Sequence, residues 1–157
     1  MCGIIGFINH ENASQKTIEG LKNLQKRGVD GCGFYDGNII KTSDSLNSLI
    51  INSQDSFLSF GHVLHAIEGS VRQPIQNKGT LVFNGEIYNY KELNKQLGIK
   101  TNNDTQTLPA YLDSFEKILP STLLQVDGDY AFAYLKNNLL TLARDSLGVK
   151  PLWYYID

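Results

Sequence analysis

The sequence has few of the residues and none of the long patterns that mark secreted, membrane or nucleic-acid-binding proteins. Its 157 residues include only two cysteines, too few for a disulfide framework, which favours a reducing compartment. No apolar run approaches the roughly 18 residues of a membrane span, and no signal peptide is evident, so we expect a cytoplasmic protein with no membrane partner. The 14 basic and 16 acidic side chains form no basic stripe and give a net charge of −2, which argues against nucleic acid as a partner. We expect a single globular domain over residues 1–157.

Residues that bind metals are also scarce and poorly spaced. His62 and His65 are three apart in a predicted strand, so they would point to opposite faces of a sheet. No CxxC or HExxH motif is present. We therefore expect no metal site.

Local patterns predict the order of the structural elements. After an apolar first strand, a helix is predicted to end at Gly28, and hairpins are predicted at Asp36-Gly37 and Asn137-Asn138. Further helices are predicted over 90–98 and 105–120, the latter with Asp104 at its N-cap and Pro109 in its first turn, and a last strand over 150–157. Because the helices are grouped and do not alternate with single strands, the fold class is α+β.

A cysteine stands directly after the initiator methionine, in MCGIIGFI. The apolar and β-branched residues that follow predict a strand that would hold Cys2 at a sheet edge. A thiol reacts as thiolate, and its ordinary pKa of about 8.5 means that it needs a base. If Met1 is removed, the α-amino group of Cys2, with a reference pKa of about 7.7–8.0, can take the proton. The competing interpretation is a small cysteine buried in a strand.

Three polar motifs accompany this cysteine. Asn84 and Gly85, in FNGEIYN, can offer an amide N–H and a backbone N–H to an oxyanion; the competing interpretation is an Asn-Gly turn. Asp104, in TNNDTQT, directly precedes a predicted helix. Its carboxylate either caps that helix or binds a substrate ammonium group. The third motif, RGVDGCG, is interpreted as a helix end and the entry to a strand.

Taken in order, these motifs resemble the class II, N-terminal-nucleophile type of glutamine amidotransferase domain, and most closely the N-terminal domain of glutamine-hydrolysing asparagine synthetases. The resemblance runs from Met1 to Tyr155 and rests on MCGIIGF, RGVDGCG, GHVLHAI followed by QPI, FNGEIYNYKEL, NNDTQT, and VDGDYAFAYL with LARDSLGVKPLWYY. NGEIYN and the ARD-x-LG-x-KPL-x-YY ending are the most specific of these, since a generic α+β domain needs neither.

The resemblance implies a four-layer αββα sandwich and the hydrolysis of L-glutamine to glutamate and ammonia through a thioester on Cys2. It implies that Asn84 and Gly85 form the oxyanion hole. The substrate-binding residues that follow from it are Glu86 and Asp104, near the glutamine α-amino group, and Ile67. No cofactor is expected in this domain; Mg-ATP would be used only by a synthetase domain or subunit, absent from this chain, that receives the ammonia. The alternative is a non-catalytic or weakly active domain that docks on a synthetase partner.

Three positions depart from the family pattern. Leu64 stands where the family has an arginine that binds the glutamine α-carboxylate, Val29 replaces a loop proline, and Gln106 replaces a glutamate. A desolvated carboxylate needs a cationic partner. Arg72, on the loop that leaves the same predicted strand, is predicted to supply it, with Arg27 as the second candidate. In the competing interpretation Arg72 is a solvated loop residue.

Overall fold

The structure is a computed structural model that describes residues 1–49, 56–67 and 70–156. The chain forms two compact units, Met1–Ile75 and Gln76–Asp157. The described residues form two four-stranded sheets, with strand orders β1-β4-β2-β3 and β5-β6-β7-β8. The first sheet belongs to the first unit, and the second belongs to the second unit apart from Ile75.

The first unit pairs a sheet with one long helix. Its elements are β1 (Gly3–Ile8), α1 (Ala13–Leu24), β2 (Gly31–Tyr35), β3 (Ile40–Ser43) and β4 (Leu58–Leu64), with single 3₁₀ turns at Gln25–Arg27 and Leu46–Ser48. Each neighbouring pair of strands in this sheet is antiparallel. The RGVDGCG motif runs from the 3₁₀ turn into β2, which confirms its interpretation as a helix end and strand entry.

Helix α1 covers one face of this first sheet. Leu21 on the helix is fully buried and packs with Cys32 and Val63 on neighbouring strands. Successive side chains of a strand point to opposite faces. Gly31 and Leu64, which are directly paired across β2 and β4, therefore lie on the face away from α1.

The second unit combines its sheet with helices that follow β6 in the chain. Its elements are β5 (Ile75–Gln76), β6 (Thr80–Ile87), α2 (Tyr90–Leu97), α3 (Asp104–Asp113), α4 (Pro120–Leu123), β7 (Gly128–Lys136) and β8 (Leu139–Arg144). Leu81, Phe83 and Ile87 of β6 form a buried cluster with Leu93 of α2 and Leu108 of α3. The alternation along β6 places Asn84 on the opposite face of the sheet from this cluster.

Both predicted hairpins are present. The Asp36 carboxylate accepts the backbone N–H groups of Asn38 (2.9 Å) and Ile39 (2.8 Å), which closes the turn between β2 and β3. Asn137 and Asn138 both have positive φ, 51° and 60°, the left-handed geometry that a tight hairpin between β7 and β8 requires.

The predicted helix over 105–120 is shorter in the structure. Helix α3 ends at Asp113, and the Ser114 hydroxyl closes it by donating to the Tyr111 carbonyl (2.6 Å). The N-cap is Asn103, whose side chain accepts the Thr105 N–H (2.8 Å), and the prediction that Asp104 fills this position is wrong. Pro109 lies inside the helix, beyond its first turn.

The last predicted strand is also wrong. Residues 151–156 have no regular secondary structure, and Trp153 and Tyr155 are 90% and 85% exposed. An apolar, aromatic segment favours a strand only where a neighbouring strand can exchange hydrogen bonds with it.

Among residues 1–49, 56–67 and 70–156, no helix has the length and apolar character needed to cross a bilayer.

Candidate active site

The N-terminal strand is anchored, so Cys2 does not lie on a frayed end. Strand β1 pairs with β4 from Gly3 to Ile8. Just ahead of the first paired residue, the Arg27 guanidinium donates its Nε–H to the Cys2 carbonyl at 3.1 Å. This contact stabilises the backbone of Cys2, the residue that precedes the first strand pair. Cys2 is therefore held more firmly than a residue at an unpaired chain end.

The Cys2 thiol lies against the main chain of His65. The His65 N–H donates to Cys2 Sγ at 3.4 Å, and the sulfur lies 3.7 Å from the His65 carbonyl oxygen. Cys2 is partly exposed, whereas the other cysteine, Cys32, is buried. The thiol therefore has a main-chain donor and a main-chain acceptor within reach, both of them on His65.

The residue pairing places Cys2, Leu64 and Gly31 in one row across the sheet. Gly3 pairs with Val63, so Cys2 is next to Leu64 at the end of the same ladder, and Leu64 pairs in turn with Gly31. Adjacent strands are about 4.8 Å apart, which puts the strand of Gly31 about 10 Å from that of Cys2. The row lies on the face away from α1.

Arg72 lies over the far end of this row. Its Nε is 3.4 Å, and Leu64 Cδ2 is 3.7 Å, from the point that a β-carbon on Gly31 would occupy. The Arg72 guanidinium is therefore beside the Leu64 side chain. Arg72 pairs with the Asp44 carboxylate, which is 88% exposed.

Burial raises the pKa of the Cys32 thiol, and the Arg72 charge partly offsets this.

A histidine and a carboxylate meet just beyond the paired residues of β4 and β2. The His65 imidazole Nδ1 is 3.7 Å from Asp30 Oδ2. The same carboxylate oxygen accepts the Ala66 N–H at 2.9 Å, and the Asp30 N–H donates to the Leu64 carbonyl at 3.0 Å. Asp30 is thus tied to the end of β4 by both its side chain and its main chain.

Gly28 allows this loop to approach β4 closely. A β-carbon at Gly28 would lie 2.5 Å from the Leu64 carbonyl, well inside van der Waals contact. The RG pair of RGVDG therefore has two separate roles. The arginine holds the Cys2 backbone, and the glycine lets the chain pass Leu64 on its way to Asp30.

In the second unit, Asn84 and Gly85 lie in β6 and are paired with Ala131 and Tyr130 of β7. Asn84 is buried, 4% exposed. Gly85 has a φ of 153°, and a β-carbon there would lie 2.1 Å from the Asp129 carbonyl oxygen. The position consequently admits only glycine, and the interpretation of Asn84-Gly85 as a turn is wrong because both residues belong to a strand.

Asp104 is joined to the same strand. Its Oδ2 accepts the Ile87 N–H at 2.9 Å, and its Oδ1 accepts the Thr105 N–H at 2.7 Å. The start of α3 is thereby fixed against the end of β6, two residues after Gly85. Glu86 is exposed and pairs with Asp129 across the ladder. The second unit therefore brings Asn84, Gly85, Glu86 and Asp104 to one end of its sheet.

The remaining predicted site residue is Ile67, which lies past the end of β4 and is 68% exposed. Within the described parts of the chain, no group of three or more His, Cys, Asp or Glu side chains is placed to hold a metal ion. The sequence motifs did not connect Asp30 with His65, because the two are far apart in the chain and meet only through the pairing of β2 with β4.

A family model described as a glutamine amidotransferase domain matches residues 1–157. The chain belongs to this family. A Methanocaldococcus jannaschii protein assigned as a glutamine-hydrolysing asparagine synthetase is 38% identical over 98% of the chain and 30% of the relative. A glutamine–fructose-6-phosphate aminotransferase of Methanococcus maripaludis is 29% identical over 88% of the chain and 28% of the relative. The chain thus spans about a third of the length of the curated relatives that it matches.

The solved structures give the same result for the fold. The glutamine phosphoribosylpyrophosphate amidotransferase of Bacillus subtilis superimposes with a TM-score of 0.73 at 25% identity, over 92% of this chain and 37% of that one. The predicted fold class, α+β of the αββα type found in N-terminal-nucleophile hydrolases, is confirmed. The protein is a class II glutamine amidotransferase domain.

Proposed function

We propose that this amidotransferase domain hydrolyses L-glutamine to glutamate and ammonia through a thioester on Cys2. The observation that carries the proposal is the fixed position of Cys2, with its carbonyl held by Arg27 and its sulfur against the His65 N–H. A buried structural cysteine has no need of an anchored, partly exposed place at the start of a strand. Met1 is 56% exposed, which leaves it accessible for removal.

Cys2 supplies both the nucleophile and the base once Met1 is removed. The α-amino group takes the thiol proton, and the thiolate attacks the carbonyl carbon of the glutamine side-chain amide. The tetrahedral intermediate then breaks its C–N bond, and the ammonium form of the α-amine returns its proton so that ammonia leaves. Water attacks the resulting thioester by the same base and releases glutamate and the free thiol.

The other predicted residues have roles in charge stabilisation and binding. Asn84 and Gly85 supply N–H donors to the oxyanion that forms in each half of the reaction. Glu86 and Asp104 bind the substrate α-ammonium group by charge-assisted hydrogen bonds. Ile67 contributes to the apolar wall of the substrate site.

We assign the substrate α-carboxylate to Arg72. The guanidinium lies beside Leu64, where the family arginine would be, and about two strand spacings from the strand of the nucleophile. A carboxylate that leaves water needs a cation and hydrogen bonds, and a guanidinium offers both in one planar group. Asp44, which is highly exposed, loses little when the substrate takes its place.

The ammonia passes to an asparagine-synthetase-like domain or chain. This part of the proposal is supported by the relative assigned as an asparagine synthetase, of which this chain matches 30%. The domain itself requires no cofactor for amide hydrolysis, since the nucleophile, base and oxyanion donors are all protein groups. Mg-ATP would be used by the partner, which has to activate the acceptor of the ammonia.

The test is glutamate release by the full chain, with an N-terminal Cys2 verified by intact mass. Cys2→Ala should abolish turnover, whereas Cys32→Ala, the same substitution at the buried cysteine, should keep it. A chain that carries one extra residue before Cys2 should also be inactive, because its amide cannot accept a proton. Unchanged glutamate release in Cys2→Ala would exclude the thioester. An inactive parent with verified Cys2 would favour a docking domain without catalysis.

A further inference from the structure

Two glycines of β2 leave one face of the first sheet open to another segment of the same unit. Gly31 and Gly33 are two residues apart in the strand, so both lie on the face away from α1. A β-carbon at Gly33 would lie 1.8 Å from the Gln73 carbonyl oxygen and 3.1 Å from Pro74 Cδ. The main chain of residues 72–74, which we call the strap, therefore lies directly on β2, closer than any side chain at Gly33 would allow.

The strap carries the guanidinium that is assigned to the substrate carboxylate. Arg72 Nε lies 3.4 Å from the point that a β-carbon on Gly31 would occupy, and the Ser43 carbonyl oxygen is equally close to that point. The guanidinium also pairs with the carboxylate of Asp44, the residue after β3. The Arg72 side chain thus lies over β2, with Leu64 of β4 on one side and the end of β3 on the other.

These side-chain contacts do not by themselves fix the guanidinium. Arg72 and Asp44 are 37% and 88% exposed, and ion pairs this exposed contribute little. The buried anchor is the next residue along, Gln73, which is 2% exposed and whose carbonyl lies against Gly33. The position of Arg72 consequently depends on how closely the main chain of the strap approaches β2.

We propose that Gly33 is a positioning residue for the substrate α-carboxylate, because it lets the strap lie against β2 and so holds the Arg72 guanidinium beside Leu64. A side chain at Gly33 would push the Gln73 carbonyl outward by more than about 1 Å before ordinary van der Waals distances return. A binding group has to be held within about 0.5 Å of its productive position, so this displacement weakens the contact. The proposal rests on the proposed function for the role of Arg72, and Gly33 itself does not touch the substrate.

The test is a double-mutant cycle on the full chain with Met1 removed, read as KM and kcat for glutamate release. Gly33→Ala should raise KM for glutamine by about tenfold, the loss of one charge-assisted contact, with little change in kcat. In the Arg72→Ala background the same substitution should change KM by less than about twofold, because no guanidinium is left to displace. An equal factor in both backgrounds would overturn the proposal, since a general disturbance of the sheet does not act through Arg72.

Gly61→Ala is the matched control, the same substitution on the neighbouring strand β4. A β-carbon at Gly61 would lie 2.8 Å from Thr17 Cγ2 and 2.9 Å from Leu21 Cδ2, both on α1. The control therefore disturbs packing on the opposite face of the sheet. It should lower the free energy of unfolding in urea titrations and keep the parent KM.

Gln73→Ala is the milder variant, for the case that Gly33→Ala does not fold. It removes a buried side chain from the strap and inserts no atom into the sheet. It should raise KM where Arg72 is present and leave KM unchanged in the Arg72→Ala background. A parent-like KM in the folded Gly33→Ala chain, or in Gln73→Ala if the former is unfolded, would overturn the proposal.

A second measurement follows Arg72 without glutamine. Phenylglyoxal modifies accessible guanidinium groups, and peptide mass spectrometry gives the rate at Arg72 alone. Gly33→Ala should speed this modification by about threefold or more, because the guanidinium loses its place on β2 and its pair with Asp44, whereas Gly61→Ala should match the parent. An unchanged rate at Arg72 would overturn the positioning role. A faster rate together with a parent-like KM in Arg72→Ala would support the positioning of Arg72 and reject only its assignment to the carboxylate.

Discussion

Replacement of Arg72 by alanine should weaken glutamine binding while the domain stays folded. The guanidinium is proposed to bind the substrate carboxylate beside Leu64. A hydrogen bond between charged groups contributes about 1.5–3 kcal/mol, and each 1.4 kcal/mol is a factor of ten, so KM should rise by about tenfold to a hundredfold. The contact is the same in the ground state and the transition state, so kcat should change little.

The cost of Arg72→Ala to folding should be small. The ion pair that the substitution removes joins Arg72, 37% exposed, to Asp44, 88% exposed. Pairs this exposed contribute about 0–1 kcal/mol to the free energy of unfolding. A large rise in KM would therefore not be a consequence of unfolding, which urea denaturation of the same samples would verify.

Asp44→Asn and Arg72→Lys are the matched variants for this prediction. Asp44→Asn removes the same ion pair but leaves the guanidinium free for the substrate, so KM should stay the same or fall. Arg72→Lys keeps the charge and loses the planar fork, so its KM should lie between those of parent and Arg72→Ala. The assay is steady-state glutamate release over a range of glutamine concentrations. Parent-like KM values in both Arg72 variants would refute the reasoning and make Arg27 the next candidate.

Two further outcomes are expected. Asn84→Ala should lower kcat by about a hundredfold or more with little change in KM, the usual loss for one oxyanion donor, and an effect on KM alone would remove Asn84 from that role. Burial acts to raise the pKa of Asp145, but the N–H groups of Lys150, Val149, Tyr130 and Gly148 together hold it below its usual value. Such a carboxylate stabilises the fold above its unfolded pKa, and this stability is lost as the pH falls through the lower folded value. Asp145→Asn should therefore lower the free energy of unfolding by about 1–3 kcal/mol at pH 7 and by less below pH 4, in urea titrations at both values; an equal loss at both would contradict this account.

Local sequence was sufficient for the elements whose geometry is set by a few neighbouring residues. Gly98 ends α2 with a φ of 65°, a conformation that glycine adopts without strain, and the Asn137-Asn138 pair makes its hairpin for the same kind of reason. The helix predicted to continue to residue 120 ends at Asp113, a residue whose side-chain partners lie far away in the chain. The Asp113 carboxylate accepts the N–H groups of Lys78 and Gly79, and no local pattern encodes those partners.

The sequence by itself also determined the family and the candidate nucleophile. MCGIIGF, FNGEIYN and LARDSLGVKPLWYY are specific enough to identify a class II amidotransferase domain, because they combine the candidate nucleophile with backbone positions that only glycine can fill. Gly85 is such a position, since the approach of the Asp129 carbonyl leaves no space for a side chain.

Only the tertiary structure decided which charged groups accompany Cys2. Strand pairing brings residues that are dozens of positions apart in the chain to within one strand spacing, and register cannot be deduced from composition or local periodicity. The pairing of β4 with β1 and β2 sets Cys2, Leu64 and Gly31 in one row, with Arg72 over the Gly31 end and the His65–Asp30 pair just beyond the paired residues of β4 and β2. The candidate nucleophile was therefore encoded in a short motif, while the charged groups around it depended on long-range hydrogen bonds between strands.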